Sequence, residues 1–471
     1  MNNKIIILLI AILTINSSLF SQEKWSLDKC INYALENNIS IKQYQLKTDA
    51  SKEVLSQSKV NLFPNLNANA TNIYNFGKTI DPFTNTFASE QVRSNTFSIS
   101  SSVVIFNGFK AINNIKKNNY LYKASKFDVE KIKNDIILSV ASAYLQILYN
   151  IEILNKANNQ LSTITEKKDK IKRLVELGSL AQSNLYDYNA QVASQELSVI
   201  EAENNLEISR LTLKQLLDIN DTANFSIETP QNIEIPEDYI LLDENEVLSQ
   251  SLKNLPEIKS AENNLFANIV ELSRARGDRY PMLTMSGSYG TGYSGASNEV
   301  ISSTNILQEI GYTNKGDIVY VPSIDYTYRK KPFQNQLDDN LNQSFGIYLS
   351  IPIFNKMQIN SSISLSKIDI LQAQYNYESN KLEISKKIQQ VYTDAKLAIK
   401  RYNASYKALI AYEESFKFAN EKYDKGIISA VEYNEAWNNL KNIESDMIQS
   451  KYDFVFKIKI LEFYTGKELK L

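Results

Sequence analysis

Histidine is absent from the 471 residues, and cysteine occurs once. Without imidazole there is no His-based acid–base catalysis, no Ser-His-Asp or Cys-His arrangement and no imidazole metal site. A single thiol makes no intrachain disulfide, no thiolate zinc cluster and no CxxC redox pair. Glycine (13) and proline (9) are scarce, which suits long uninterrupted helices better than a loop-rich catalytic scaffold. A surplus of one charge is also missing. Lys+Arg (51) and Asp+Glu (53) nearly cancel, leaving no basic excess to hold nucleic acid and no acidic tail. Past the N-terminus no segment reaches the roughly 18 apolar residues of a spanning helix. The many carboxylates are spread along helix faces. A carboxylate-pair glycosidase therefore has no constellation to rest on, and the chain reads as no enzyme, with no catalytic residue, no cofactor and no metal.

What is present starts with an export signal over residues 1–21. Lys4 supplies the positive start, Ile5–Ile15 the apolar stretch, and Ser17–Ser21 a cleavage region before Gln22. That stretch is too short to anchor the chain as a helix. Cys30 follows the charged Leu27-Asp28-Lys29 and reads as a small buried residue on the first helix.

The rest is a tandem repeat. Leu35 recurs as Leu252, Asn37 as Asn254, Ile41-Lys42 as Ile258-Lys259, and Pro64-x-Leu66 as Pro281-x-Leu283. At a larger spacing Phe97-x-Ile99 recurs as Phe345-x-Ile347, Ile105-Phe106-Asn107 as Ile353-Phe354-Asn355, and Gly178 as Gly426. The change of spacing places one insertion, roughly 291–342, whose tyrosines and Arg329-Lys330-Lys331 run read as an extracellular loop. The expected division is a signal peptide (1–21), a first repeat (22–225), a linker (226–242) and a second repeat (243–471).

Each repeat has helix, two strands and a helical hairpin in the same order. Strands are expected at about 64–76 and 94–107, then 280–292 and 343–355. Phe97, Ile99, Val103 and Ile105 alternate with Ser98, Ser100 and Ser102, and Phe345, Ile347, Leu349, Ile351 and Ile353 repeat the pattern. Period two over about ten residues is the length that crosses a bilayer as a tilted strand. Aromatics bound both ends: Phe63, Phe106, Tyr280 and Phe354 at one, Tyr74, Phe76, Tyr289 and Tyr293 at the other.

Helical hairpins are expected at 108–217 and 356–464. No proline or glycine interrupts Phe109–Leu177, enough for a helix of about 100 Å at 1.5 Å per residue. The return helix keeps 3-4 spacing through Tyr188, Val192, Gln195, Val199, Ala202, Leu206, Ser209 and Leu213. Tyr433, Leu440, Ser450, Phe454 and Leu461 do the same in the second copy. Such seams mean antiparallel coiled coils. Each return helix is about half the length of its partner, so the first helix of the repeat can stack on it.

Strands with one apolar face cannot sit in lipid with open edges. Four strands are too few for a closed barrel, which takes about eight, so the barrel must be shared between chains. The residues that frame this plan are Asn-x-Pro-Glu-Ile-Lys at 254–259, Tyr-Pro-x-Leu-x-x-Ser-Gly-Ser-Tyr at 280–289, Ile-Pro-Ile-Phe-Asn at 351–355, and the tips Leu177-Gly178-Ser179-Leu180 and Lys425-Gly426-Ile427-Ile428-Ser429. In these and in their order the chain resembles the outer-membrane efflux proteins, the TolC-like family.

The resemblance implies an α+β membrane protein. Four strands per chain join a shared 12-stranded barrel in a homotrimer of the outer membrane, with a helical tunnel in the periplasm. It also implies a passive exit duct for solutes, a periplasmic adaptor docked at the tips Gly178, Ser179, Leu180, Gly426, Ile427 and Ile428, and an inner-membrane transporter reached through that adaptor. Family members place acids at the narrow tip, here Glu432 and Glu435, and make closing hydrogen bonds at the positions of Tyr423 and Asn184, beside Ser183. Glu432 also completes a Ser429-x-x-Glu432 capping box, and Glu435 suits a solvated face. An arginine found near the tip in some members is here Ile428. The competing function is a soluble periplasmic coiled-coil scaffold or adaptor, which accounts for the seams but not for four aromatic-bounded strands.

Overall fold

The computed structural model describes residues 24–85, 87–88, 91–219, 225–230, 241, 243–467 and 469. The expected signal peptide and most of the expected linker lie outside them. In chain order the elements are α1 (Leu27–Asn37), α2 (Ile39–Val60), β1 (Asn65–Asn75), β2 (Thr79–Ile80), β3 (Phe87–Ala88), β4 (Val92–Phe106), α3 (Lys110–Glu176), α4 (Gln182–Leu216), α5 (Glu244–Asn254), α6 (Pro256–Gly277), β5 (Met282–Ser294), β6 (Asn298–Tyr312), β7 (Ile318–Lys330), α7 (Phe333–Asp339), β8 (Asn342–Ser350), α8 (Gln358–Asp424) and α9 (Ala430–Tyr464). They form two compact units. One takes the chain up to Lys52, Tyr120–Phe266 and Leu371 onward; the other takes Glu53–Asn119 and Ala267–Ile370.

The first unit is helical. Its core joins Cys30 and Ala34 of α1, Val140, Tyr144 and Ile147 of α3, Leu213 of α4, Ile388 and Ala395 of α8, and Phe454 and Leu461 of α9. Each fully buried Ile or Leu contributes roughly 1.5–3 kcal/mol relative to exposure. Burial pushes the Cys30 thiol up to about 12, so it packs as an inert apolar group. Of the helices, α3 holds one stretch long and apolar enough to cross a bilayer by composition, although no unbroken apolar run was expected there. That stretch belongs to a helix whose Val140, Ala141, Tyr144, Ile147 and Leu148 pack into this core.

The α4 seam buries Tyr188, Val192, Gln195, Val199, Ala202, Leu206, Ser209 and Leu213, the 3-4 positions expected of a coiled coil. Its polar members are satisfied. Gln195 donates to the Ala157 carbonyl at 3.1 Å and accepts from Lys441 Nζ at 2.8 Å, while Ser209 donates to Leu206 O. Both repeats break their leading helix at the same place by different chemistry. Asn38 Oδ1 accepts from the Ser40 and Ile41 amides, restarting the helix as α2. In the second copy Leu255 ends α5 in an extended conformation and Pro256 opens α6. Asn38 Nδ2 also donates to Leu216 O, and the Ile39 amide to Asp218, which seats the start of α2 on the end of α4.

The second unit holds an antiparallel sheet in the order β1-β4-β5-β8. Its register makes continuous rows. Asn67, Ser100, Ser288 and Ser344 lie side by side, as do Asn65, Ser102, Ser286 and Gly346. Ser288 and Ser344 hydroxyls meet at 2.7 Å, and Ser102 donates to Asn65 Oδ1 at 3.1 Å. The alternate rows are Leu66, Ser101, Gly287, Phe345 and Ala68, Ile99, Tyr289, Gln343. One face is therefore hydroxyl and amide, the other mostly apolar. Ile99, Phe345, Ile347 and Leu349 are exposed in the single chain. Both outer strands, β1 and β8, have a free edge among the described residues.

Two strand expectations shift. β8 stops at Ser350 instead of running to 355, because Pro352 has no N–H to continue a ladder. β5 runs two residues later than expected, to Ser294. The insertion expected as a loop carries a separate two-stranded sheet, β6–β7, and the short helix α7. Between β1 and β4, Asp81 accepts from the Phe83 and Thr84 amides at 3.1 and 2.8 Å and from the Ser294 hydroxyl, and Phe83 fills the space a Cβ at Gly292 would need. That segment therefore lies over the end of the hydroxyl face.

Candidate gate at the helical tips

The α3–α4 and α8–α9 turns have the same backbone. Gly178 donates to Val175 O at 2.9 Å and Ser179 to Leu174 O at 2.9 Å; Gly426 donates to Tyr423 O at 2.9 Å and Ile427 to Lys422 O at 2.8 Å. Both glycines have positive φ, 73° and 70°. Each outgoing helix thus ends in a Schellman turn that satisfies its last carbonyls.

The return helices start differently. At α9, Ser429 Oγ accepts from the Glu432 amide at 3.3 Å while Glu432 Oε2 accepts from the Ser429 amide at 2.8 Å and its hydroxyl at 3.0 Å. The Ser429 backbone amide, then its hydroxyl, hold the Glu432 carboxyl below its usual value. At α4 the N-cap is Ala181, which offers no side-chain acceptor. Glu435 lies three residues beyond Glu432, one turn along, and both are exposed. Solvent also meets the apolar side chains Leu177, Ile427 and Val431 at these turns.

Between the two turns lies a groove of about 540 Å³, lined by Leu180, Asn184, Tyr188, Tyr423, Gly426 and Ile428 among others. Five of the anticipated gate and docking groups, Tyr423, Asn184, Leu180, Gly426 and Ile428, therefore share one wall system. Ser183 is exposed and does not line it, nor do Glu432 and Glu435. Leu180 packs on the Ile164, Ile171, Tyr188 and Val192 cluster. Tyr188 is buried and hydrogen-bonded to Tyr423; burial first, then that bond, raises its hydroxyl above the ordinary tyrosine value. Tyr423 stacks on Tyr433 with ring centres 4.6 Å apart.

Lys167 escaped the sequence reading. Its ammonium lies 4.3 Å from the Tyr433 ring centre, 5.8 Å from Phe416 and 5.9 Å from Trp437. It donates to Asn420 Oδ1 at 3.2 Å and to the Tyr433 hydroxyl. Burial pulls it below the ordinary lysine value, with Asp424 acting the other way. Lys167 belongs to the first hairpin and the aromatic rings to the second, so a desolvated cation–π contact ties the two hairpins together near the tips. Tyr433 and Trp437 stand four apart on one helix face and both pack on Phe416, but that spacing names no cation to meet them. Among the described residues no group of three or more His, Cys, Asp or Glu is placed to hold a metal.

Comparison with known proteins gives one consistent result. The profile of the outer membrane efflux protein family matches residues 30–218 and 247–466, one segment per repeat. Toxin and drug export protein A of Aggregatibacter actinomycetemcomitans is 22% identical over 372 residues, covering 77% of this chain and 70% of that protein. Outer membrane protein TolC of Vibrio cholerae is 21% identical over 461 residues, covering 94% and 91%. Among solved structures the Campylobacter jejuni CmeC outer membrane channel superposes with a TM-score of 0.71 at 19% identity, covering 93% of this chain and 85% of that one.

Proposed function

The chain belongs to the outer membrane efflux protein family, and from that premise we propose that it is the outer-membrane exit duct of an efflux or secretion system. The observation that carries this is the four-stranded sheet with one hydroxyl face, one apolar face and two free edges. Such a sheet is stable in lipid once copies of the chain close it, with hydroxyls and amides lining water and Ile99, Phe345 and Ile347 meeting acyl chains. Three copies make twelve strands. The helical unit lines the periplasmic passage. Solutes reach it from an inner-membrane transporter through a periplasmic adaptor, and the duct itself carries out no reaction. Adaptor docking falls on the turns at Gly178, Ser179, Leu180 and at Gly426, Ile427, Ile428, where Leu177, Ile427 and Val431 leave apolar surface in water.

The same tips form the gate. Tyr423, Asn184 and the Lys167 contact hold the two hairpins together, with Ser183 beside them. Glu432 and Glu435 ring the mouth. Rings of carboxylates favour cations and attract multivalent ones that block. Single-channel recording in a planar bilayer tests both parts. The wild type is expected to conduct with a cation preference. The double variant Glu432→Gln, Glu435→Gln is expected to lose part of that preference and to be blocked less by multivalent cations. Gln can serve in the capping box as Glu does, so helicity stays unchanged. Absence of any conductance removes the duct; unchanged selectivity removes the two glutamates from the mouth.

A further inference from the structure

The insertion between β5 and β8 holds an antiparallel pair, β6 and β7, with Asn298 opposite Lys330 and Tyr312 opposite Ile318. It forms a sheet of its own, hydrogen-bonded to no other strand among the described residues, and nearly every residue in it is exposed. A lone two-stranded hairpin is marginal in water. Its two faces differ. Tyr312, Tyr320, Tyr326 and Tyr328 share one face with Ile324 and Leu307, all at least 45% exposed. The opposite face is polar toward the root, with the Arg329–Glu299 ion pair at 2.5 Å and the cross-strand partners Thr304 and Asp325, and apolar toward the tip, where Ile306, Val319 and Val321 are exposed. The first face is the more aromatic of the two, and among the described residues nothing covers its tyrosines.

Its occupant follows from position and charge. The hairpin is inserted between β5 and β8 and reaches β8 through α7, and β8 is an edge strand of the four-stranded sheet. Across that edge the next copy of this chain must pair if the sheet closes. The neighbouring copy is thus the macromolecule brought to the hairpin by the fold itself. The tyrosine face carries one acid, Glu309, hydrogen-bonded by Tyr312, and one base at its root, Lys330. A surface made for anionic lipid headgroups would carry a cluster of cations, and this one does not. We propose that the Tyr312, Tyr320, Tyr326, Tyr328 face packs against the neighbouring copy of this chain, so that the hairpins form a collar beside the seam between copies. The collar rests on the shared-barrel reading of the preceding section.

The test places the photo-crosslinking amino acid p-benzoylphenylalanine at Tyr326 on the apolar face, and in a separate variant at Thr327 on the other. Irradiation follows in intact outer membranes. Tagged and untagged copies are expressed together, so that copy-to-copy adducts are identified directly. The expected result is a covalent dimer of this chain from position 326, at least five-fold more abundant than from position 327. Light scattering of the detergent-extracted protein, run in parallel, reports oligomeric state. A trimer without the 326 adduct, or with 326 attached to lipid or to another protein, overturns the collar and leaves the shared barrel standing. A monomer overturns both.

Discussion

At the scale of single residues, glycine marks two unlike demands. Gly178 and Gly426 need left-handed backbone, yet a Cβ on either would meet nothing within 4 Å. Gly178→Ala is therefore expected to fold and to lose about 1–2 kcal/mol, the steric cost of a left-handed L-residue, read as a lowered thermal midpoint of the extracted protein. Gly108 also has positive φ, but a Cβ there would lie 2.2 Å from the Gly277 carbonyl oxygen. Two backbones touch at that point, beside the Lys110–Asp278 ion pair at 2.6 Å, and no side chain end can give way. Gly108→Ala is expected to abolish outer-membrane assembly, measured by fractionation. Equal behaviour of the two variants would count against the contact. The tip glycines were legible from spacing alone, since a helix must stop and reverse there. The Gly108–Gly277 contact was not, because its partners stand far apart in sequence and carry no side chain to signal it. Lys167 was hidden for a related reason. A lysine on a charged helix reads as solvated until its cage, some 250 residues later in the chain, is folded against it.

At the scale of elements, period and register carried most of the fold. The α4 seam was legible because its buried positions recur at 3-4 spacing, and β4 because Phe97 and Ile99 alternate with serines. β6 and β7 were not, since register shifts between Val300 and Ser302 and between Glu309 and Gly311 interrupt the alternation. The register also sharpens a prediction about sides. Ile99 stands between Ala68 and Tyr289, and Ile347 opposite Met285, on the apolar face; Ser100 stands between Asn67 and Ser288 on the other. Ile99→Arg or Ile347→Arg is expected to impair assembly, by roughly 2–4 kcal/mol for a cation at the mid-bilayer lipid face. Ser100→Arg is expected to assemble and to change conductance instead. Heat-modifiable mobility on gels and bilayer recording separate the outcomes, and equal assembly of all three would reverse the face assignment.

At the scale of the whole molecule, the free edges of β1 and β8 leave two rows of backbone groups without strand partners among the described residues. In lipid each unsatisfied group costs several kcal/mol, so the chain is expected to leave the membrane as a detergent-stable trimer. Light scattering that finds a monodisperse monomer with intact strand content would rule this out.

The rows across the sheet carry a consequence for ion flow. Along β1, β4, β5 and β8 the hydroxyl face presents mostly Asn, Ser, Thr and Gly, with Ile73, Val104 and Tyr348 among them, and the only ionisable cation or anion in these four strands is Arg93, at the end of β4 on the opposite face. A neutral wet wall neither enriches nor depletes either ion. The strands of that wall then add no fixed charge to an ion path along it, and the charge at its end is that of Asp81. A reversal potential measured in a salt gradient is therefore expected to read charges that lie outside these strands, Asp81 and the acids proposed for the tips among them.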